Sequence, residues 1–198
     1  MNIPNKLTIS RMIMAPLFFI AFFLPLWFGP QLNKLSVVLL LVLYACTELS
    51  DLLDGLIARK YKLVTDLGKV MDPFADTFSR LTYFVCLSKV GVMPIWTFIL
   101  IMWREFAIVF LRMLMMGSGK AVAANIWGKI KAVLYAISAL GGILFVATQR
   151  LVEESQLLEV GSTVVTALFV LSAIASVLSF TTYAKAIIKS GALSHMSR

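Results

Sequence analysis

Six long apolar stretches constrain this chain more than any other feature of its sequence. A helix needs about 20 residues to cross the roughly 30 Å hydrocarbon core of a bilayer. The stretches lie near residues 9–28, 34–59, 67–89, 92–116, 126–149 and 160–187. Because 60% of the 198 residues are hydrophobic and only 14% are charged, an ordinary soluble domain is excluded. The sequence predicts an all-α integral membrane protein, a bundle of six transmembrane helices.

The first stretch also has one property of a secretory signal peptide, since the basic residues Lys6 and Arg11 lie at its start. Its far end, residues 23–30, is bulky and lacks the small residues of a cleavage site. We therefore expect a retained span. No repeat, low-complexity tract or long linker divides the chain, so residues 1–198 are expected to form a single domain.

The basic residues indicate how the helices are oriented. With six spans, thirteen Lys and Arg residues fall on the side that holds both termini, and only Lys34, Lys89 and Arg150 fall on the other side. Cytoplasmic loops are enriched in Lys and Arg. Both termini are therefore expected in the cytoplasm, with the acidic residues Glu153, Glu154 and Glu159 outside. The net charge of +8 is explained by this topology and by lipid headgroups, not by a nucleic acid partner.

Four aspartates stand where charged side chains are costly. Asp51 and Asp54 lie near the cytoplasmic end of the second stretch, and Asp72 and Asp76 lie in the third. Spacings of three and four residues put each pair on one helix face. A short connection makes the two helices antiparallel neighbours, so the pairs can converge. Four converging carboxylates need compensating charge, and two divalent ions supply it. Oxygen ligands without His or Cys favour Mg²⁺, Mn²⁺ or Ca²⁺, and phosphate transfer is the chemistry such sites support.

Three neighbouring residues agree with a phosphate site, although two of them have a second interpretation. Gly55 gives a ligand access to the helix backbone or allows close helix packing. Arg59 offers two donors to a phosphate or anchors the helix at the interface. Gly68 allows the third helix to begin close against the second.

Together these residues form the pattern Asp51-x-x-Asp54-Gly55-x-x-Ala58-Arg59, eight further residues, then Gly68-x-x-x-Asp72-x-x-x-Asp76. It resembles the signature of the CDP-alcohol phosphatidyltransferases, membrane enzymes that join a CDP-activated group to an alcohol and release CMP. Other segments resemble the phosphatidylglycerophosphate synthase branch, namely residues 2–11, the Asp72-Pro73 pair, residues 104–106 with Arg112, and residues 128–131.

The resemblance implies a role for each matching position. Asp51, Asp54, Asp72 and Asp76 would bind two Mg²⁺ or Mn²⁺ ions, and Asp76 would also take the proton of the attacking hydroxyl. The nucleotide of CDP-diacylglycerol would contact a larger set, which comprises Pro4, Asn5, Thr8, Gly55, Ala58, Arg59, Thr65 and Gly68. A homodimer is also implied by the resemblance alone.

The branch resemblance implies glycerol 3-phosphate as the acceptor and phosphatidylglycerophosphate as the product. Its phosphate needs compensating cations, and the candidates are Arg104, Arg112, Lys129 and Lys131. Arg104 lies in mid-span and requires a partner such as Glu105, Glu48 or a ligand. Two positions differ from many members of the branch, which carry Lys where this chain has Thr77 and Thr where it has Ala132.

Other functions compete with this interpretation. Other CDP-alcohol phosphotransferases use inositol phosphate, serine or a CDP-choline type substrate pair. An ion transporter would also place carboxylates in membrane helices, but it does not account for the spacing of Gly55, Arg59 and Gly68.

Overall fold

The protein is a helical bundle, seen in a computed structural model that describes residues 2–61, 65–117, 126–152 and 155–189. Its six α-helices are α1 (Ile3–Phe28), α2 (Asn33–Lys60), α3 (Asp66–Lys89), α4 (Ile95–Gly117), α5 (Ile126–Leu151) and α6 (Ser155–Lys189). A short 3₁₀ helix, Pro30–Leu32, joins α1 to α2. The described residues contain no strand, so the predicted all-α class and the six helices are confirmed. Glu153 and Glu154 lie outside the described residues.

The first helix begins six residues before the predicted span, and its N-terminal cap explains why. The Asn2 side chain accepts a hydrogen bond from the backbone amide of Asn5 at 3.2 Å, and Pro4 occupies the first turn. Both features favour a helix start. The extension carries Asn5 and Thr8 into the bundle on a rigid element.

Glycine and proline residues form the turns between helices at the end of the bundle opposite the aspartates. Gly29 ends α1 with φ of +104°, and Pro30 follows it. Gly91 has φ of +76° between α3 and α4, where Pro94 precedes the next helix. L side chains rarely adopt such positive φ values, so glycine suits these turns.

Among the described residues, four segments are long and apolar enough to cross a membrane, namely residues 3–28, 30–60, 126–151 and 158–185. Their outward side chains are apolar, for example Leu17, Ile20, Val38, Val42 and Val133, each about half exposed. A surface of this kind is solvated by lipid rather than water. α3 and α4 do not meet the same criterion because they carry the inward-facing charged residues of the candidate site.

The third and fifth helices have the most helical neighbours in the described part of the bundle. α3 packs against α1, α4 and α5, and α5 packs against α2, α3 and α6. α1 packs closely against both α2 and α3, which meet each other through side chains such as Tyr44 and Tyr83. Large buried side chains fill the centre, including Phe18, Tyr83, Phe84, Tyr135 and Phe169. Phe84 meets the rings of Tyr135 and Phe169 edge-on, with both ring centroids at 5.5 Å.

A group of polar contacts fixes the C-terminal part of α1. The Arg150 guanidinium of α5 donates to Ser36 Oγ of α2 at 2.6 Å and to the Phe22 carbonyl of α1 at 2.8 Å. Ser36 in turn donates to the Ala21 carbonyl at 2.5 Å. These bonds hold three helices together at the end that is far from the aspartates.

Two adjacent glycines of α5 provide a test of this packing. A Cβ atom on Gly142 would lie 2.7 Å from Leu87 Cδ1, whereas one on Gly141 would lie 3.5 Å from Leu168 Cδ1. Overpacking a core costs about 1–3 kcal/mol. Gly142→Ala should therefore lower the Tm of the detergent-purified protein, while Gly141→Ala should leave it unchanged or raise it. Equal Tm values for the two variants would contradict the close approach of α3 and α5.

Candidate active site

Four aspartates from α2 and α3 surround a single arginine of α1. Arg11 Nη1 donates to Asp51 and Asp76. Nη2 donates to Asp54 at 2.5 Å and lies 3.7 Å from the nearer oxygen of Asp72. The two pairs therefore converge, as the sequence predicts, and the cluster around Arg11 is hereafter the aspartate cluster.

The second and third helices are neighbours, as the sequence predicts, because the Tyr44 and Tyr83 rings lie 5.6 Å apart and Asp51 interacts directly with Asp76. Arg11 of α1 also bridges the two pairs, which the sequence did not predict. Gly68 was expected to bring α3 close to α2. A Cβ atom there would lie 3.1 Å from Asn5 Oδ1, so Gly68 allows α3 to approach α1.

Thr8, one turn before Arg11, belongs to the same cluster. Its hydroxyl lies 2.6 Å from Asp72 Oδ1 and 3.4 Å from Asp54 Oδ2, and the side chain is completely buried. Thr8 and Arg11 share one face of α1, because three residues is close to one helical turn. α1 therefore presents both a neutral donor and a cation to the carboxylates.

The donor set of the aspartate cluster fits a hard divalent cation. One arginine compensates only one of four negative charges, and the oxygen donors are those that Mg²⁺ and Mn²⁺ prefer. The Asp51, Asp72 and Asp76 side chains are 41%, 49% and 30% exposed, so an ion can reach them from outside. In the present arrangement, no three His, Cys, Asp or Glu side chains of the described residues are placed to hold a metal ion. The guanidinium occupies the point on which the carboxylates converge.

The predicted nucleotide residues form two groups beside the cluster. Asn5 and Thr65 are hydrogen-bonded at 3.3 Å, and Thr65 caps α3 by accepting from the Gly68 amide at 3.0 Å. Pro4 is buried on the same helix as Asn5. This group connects the beginnings of α1 and α3.

The second group lies on α2, one turn beyond Asp54. A Cβ atom on Gly55 would meet only Arg59 Nη2 at 3.7 Å, so no neighbouring helix packs on this glycine. Arg59 is exposed and donates through Nε to the Gly55 carbonyl at 3.0 Å, and Ala58 is half-buried beside it. The open backbone favours access for a ligand over helix packing.

The predicted acceptor residues are distributed around an open cavity. It has a volume of about 280 Å³ and is lined by Asp51 and Asp76 on one side and by Arg104, Arg112 and Lys131 on the other. The cavity therefore connects the aspartate cluster to a group of cations. Lys129 is exposed on α5, away from the residues that line this cavity.

Two of these cations share one buried carboxylate. Arg104 Nη1 donates to Glu105 Oε1 at 2.9 Å, and Lys131 Nζ donates to the same oxygen at 2.7 Å. Arg104 also donates to Ser179 Oγ of α6 at 2.8 Å. The expectation that Arg104 needs a partner is confirmed, and that partner is Glu105. All three charged side chains are buried, and the group keeps one net positive charge.

Arg80 lies between the two charged groups. It lines the open cavity and also a smaller one beneath the aspartates, which Arg11, Glu48 and Tyr83 line as well. Among the described residues, Arg80 has no ion pair within 4 Å. Its guanidinium is attracted most strongly to Asp76 and Glu48, so it adds positive charge beside the aspartate cluster.

The sequence analysis did not identify Arg11 as a member of the aspartate cluster, because it used this residue only for the topology and for the resemblance of residues 2–11. The available signal was Thr8 three residues before it, on the same helix face, in a stretch where a buried charge requires a partner. Nothing in the sequence indicated that α1 would pack against both α2 and α3.

The family model and the relatives found by comparison with known proteins agree on one family. The sequence model of the CDP-alcohol phosphatidyltransferase family matches residues 1–177. The Bacillus subtilis protein named CDP-diacylglycerol--glycerol-3-phosphate 3-phosphatidyltransferase is 37% identical over 146 residues, 70% of this chain and 76% of the relative. The Treponema pallidum protein of the same name is 36% identical over 153 residues, 73% of this chain and 68% of the relative. A Streptomyces coelicolor protein named cardiolipin synthase (CMP-forming) is 32% identical over 105 residues, 53% of this chain and 47% of the relative.

The shared carboxylate of Glu105 leads to a stability prediction. Glu105→Gln keeps the shape but leaves two buried cations together, and breaking a buried ion pair costs about 3–5 kcal/mol. The variant should unfold at a clearly lower temperature than the wild type. Adding Lys131→Met should recover part of the loss, because one of the two cations is then gone.

The exposed Glu159 on α6 is a matched control, since Glu159→Gln removes the same charge outside any ion pair of the described residues. A double variant no more stable than Glu105→Gln alone would contradict the coupling between Glu105 and Lys131.

Proposed function

This chain belongs to the CDP-alcohol phosphatidyltransferase family, and on that basis we propose that it transfers the phosphatidyl group of CDP-diacylglycerol to glycerol 3-phosphate. The products are phosphatidylglycerophosphate and CMP, so the enzyme acts in phospholipid biosynthesis. The observation that carries the proposal is the open cavity, which joins the aspartate cluster to three cations. The names of the Bacillus and Treponema relatives support this acceptor.

The proposed metal centre consists of Asp51, Asp54, Asp72 and Asp76 with two Mg²⁺ or Mn²⁺ ions. Divalent ions neutralise charge on a diphosphate and on its leaving group. Enzymes of this family generally depend on divalent metals. Asp76 lines the open cavity and belongs to the cluster, so its carboxylate can take the proton from the acceptor hydroxyl as that hydroxyl attacks phosphorus.

The cytidine diphosphate would bind across the two groups that flank the aspartates. Arg59 can turn its guanidinium from the Gly55 carbonyl to a phosphate, with which it forms two parallel hydrogen bonds. Asn5 and Thr65 offer amide and hydroxyl groups on the other side, supported by the buried Pro4 and by Thr8. Gly55, Ala58 and Gly68 leave the space that a bound nucleotide needs.

The acceptor phosphate would bind in the open cavity, opposite the aspartates. Arg112 is exposed at the rim, while Arg104 and Lys131 are held in the wall by Glu105. Glu105 fixes both cations before substrate arrives, so little ordering is needed on binding. Lys129 would contribute to the field at the entrance from its exposed position.

The acyl chains have an apolar path next to this cavity. A groove of about 270 Å³ between α3 and α4 is lined by Phe74, Phe78, Phe98, Met102 and other apolar side chains. Thr77 lines both the groove and the polar cavity. The reacting phosphate can therefore reach the aspartates while the lipid tails stay in a lipid-like environment.

We further propose a single domain of six membrane-spanning helices with the active site and both termini in the cytoplasm, as a homodimer in a bacterial cytoplasmic membrane. The asymmetry of Lys and Arg supports the orientation. The organisms of the relatives support the membrane.

The first functional prediction concerns the general base. Asp76→Asn should bind nucleotide but release CMP at least about 100-fold more slowly than wild type, because general-base catalysis typically contributes that much. The assay uses purified protein with CDP-diacylglycerol, glycerol 3-phosphate and Mg²⁺ or Mn²⁺. Glu159→Gln, at the other end of the bundle, should leave the rate unchanged. Near-normal turnover by Asp76→Asn would remove this carboxylate from the mechanism.

The second functional prediction concerns the acceptor. Arg112→Ala and Lys131→Ala each remove a cation from the cavity wall, so they should raise the KM for glycerol 3-phosphate more than the KM for CDP-diacylglycerol. Each should raise it about tenfold, the effect of losing one charge-assisted hydrogen bond. Lys89→Ala, an equal charge change at the other end of α3, should alter neither constant.

Wild-type constants in both cavity variants would show that the acceptor binds elsewhere. If the enzyme consumes inositol phosphate or serine instead of glycerol 3-phosphate, the acceptor is wrong while the family stands.

A further inference from the structure

We propose that Arg11 is a movable counterion that holds the aspartate cluster together without metal and withdraws towards Glu48 when divalent ions bind. The inference rests on the proposed metal dependence and adds the residue that sets metal affinity. Arg11 would be a positioning residue, since it acts through the carboxylates and not on the substrate.

The first step of the argument is the position of the guanidinium. Arg11 is only 1% exposed and reaches all four aspartates, which come from α2 and α3. Four carboxylates at this separation repel one another unless a cation lies between them. Arg11 is the one cation of the described residues within 4 Å of any of the four.

The second step is that a metal ion and the guanidinium cannot occupy the same point among the carboxylates. Nη1 and Nη2 take Asp51 Oδ1, Asp76 Oδ1 and Asp54 Oδ2. With the guanidinium there, no group of three acidic side chains in the described part of the chain is arranged for a metal. A Mg²⁺ ion needs its oxygens at about 2.0–2.1 Å in near-octahedral geometry. Metal binding through these oxygens therefore requires Arg11 to withdraw.

The third step is that Glu48 lies close enough to attract Arg11. The two side chains line the same small cavity beside the cluster, about 10 Å³ or room for roughly one water, together with Thr47, Arg80 and others. Glu48 lies three residues before Asp51 on α2 and has no hydrogen bond or ion pair within 4 Å among the described residues. It is attracted to Arg80 and, less strongly, to Arg11. Arg11 Nε is buried without a hydrogen-bond partner, so the present position does not satisfy the side chain fully.

The test measures binding of Mg²⁺ alone to the purified full chain by isothermal titration, without either substrate. Arg11→Gln should bind Mg²⁺ at least about tenfold more tightly than wild type, because the competing cation is gone. The same variant should have a lower Tm in EDTA and recover the wild-type Tm in Mg²⁺. Lys60→Gln removes an equal charge from the exposed end of α2 and should change neither quantity.

Substitution of Glu48 distinguishes withdrawal of Arg11 from a general effect of charge on the affinity for Mg²⁺. Glu48→Gln should weaken Mg²⁺ binding about tenfold in the wild type, because Arg11 loses its second partner. In the Arg11→Gln background the same change should have almost no effect. An equal effect in both backgrounds would mean that Glu48 acts on the metal directly, and the proposal would be wrong.

Two outcomes distinguish this inference from the proposed function. Arg11→Gln with wild-type affinity for Mg²⁺ overturns the inference and leaves the transferase proposal intact. A wild-type protein that binds no divalent ion, and releases CMP equally well in EDTA, contradicts the proposed metal centre itself.

If Arg11→Gln does not fold even in Mg²⁺, the comparison is made in Arg11→Lys, whose single ammonium contacts fewer carboxylates. Arg11→Lys should bind Mg²⁺ more tightly than wild type and show a smaller effect of Glu48→Gln, and unchanged values in both respects overturn the inference.

Discussion

The structure depends on charge compensation inside a bundle that has an apolar outer surface. A buried charge without a partner is costly, and the cost is greatest where lipid replaces water. Two groups of charged side chains meet this requirement in opposite ways. In one, a single cation, Arg11, serves four carboxylates; in the other, a single carboxylate, Glu105, serves two cations. The first group keeps a surplus of negative charge and the second a surplus of positive charge. The open cavity between them thus has one wall suited to cations and one suited to anions.

In the proposed reaction, this polarity would give the two reacting partners different places. A diphosphate that brings divalent ions would fit the acidic wall, whereas a bare phosphate monoester would be repelled there and attracted to Arg104, Arg112 and Lys131. These opposite preferences would orient the acceptor with its phosphate away from the aspartates and its hydroxyl towards them. Orientation of this kind lowers the entropic part of a reaction barrier. Arg80, which lines both cavities, would add positive charge between the two walls.

The sequence was sufficient for the parts of the structure that follow from local pattern. Apolar stretches of about 20 residues predicted six helices, and the three- and four-residue spacings of Asp51, Asp54, Asp72 and Asp76 predicted that the carboxylates converge. The order of helices in space was not predictable in this way. α2 and α3 follow each other with a short connection, which favours close packing, yet each packs its backbone more closely against α1 than against the other. That outcome depends on a tertiary match, in which Thr8 and Arg11 meet carboxylates 40 or more residues away along the chain.

The helix α1, which carries the predicted nucleotide residues Asn5 and Thr8, is anchored at both of its ends. Its C-terminal part is held by Arg150 of α5 through the Phe22 carbonyl, and its start is held by Asn5 against Thr65. Contacts at both ends oppose a shift of the whole helix, so the proposed entry of ions would be accommodated by side chains. The long, flexible side chain of Arg11 lies at the point where the four carboxylates converge. A rigid α1 with one movable guanidinium would keep Asn5 and Thr8 in place beside the nucleotide throughout the cycle of metal binding and release.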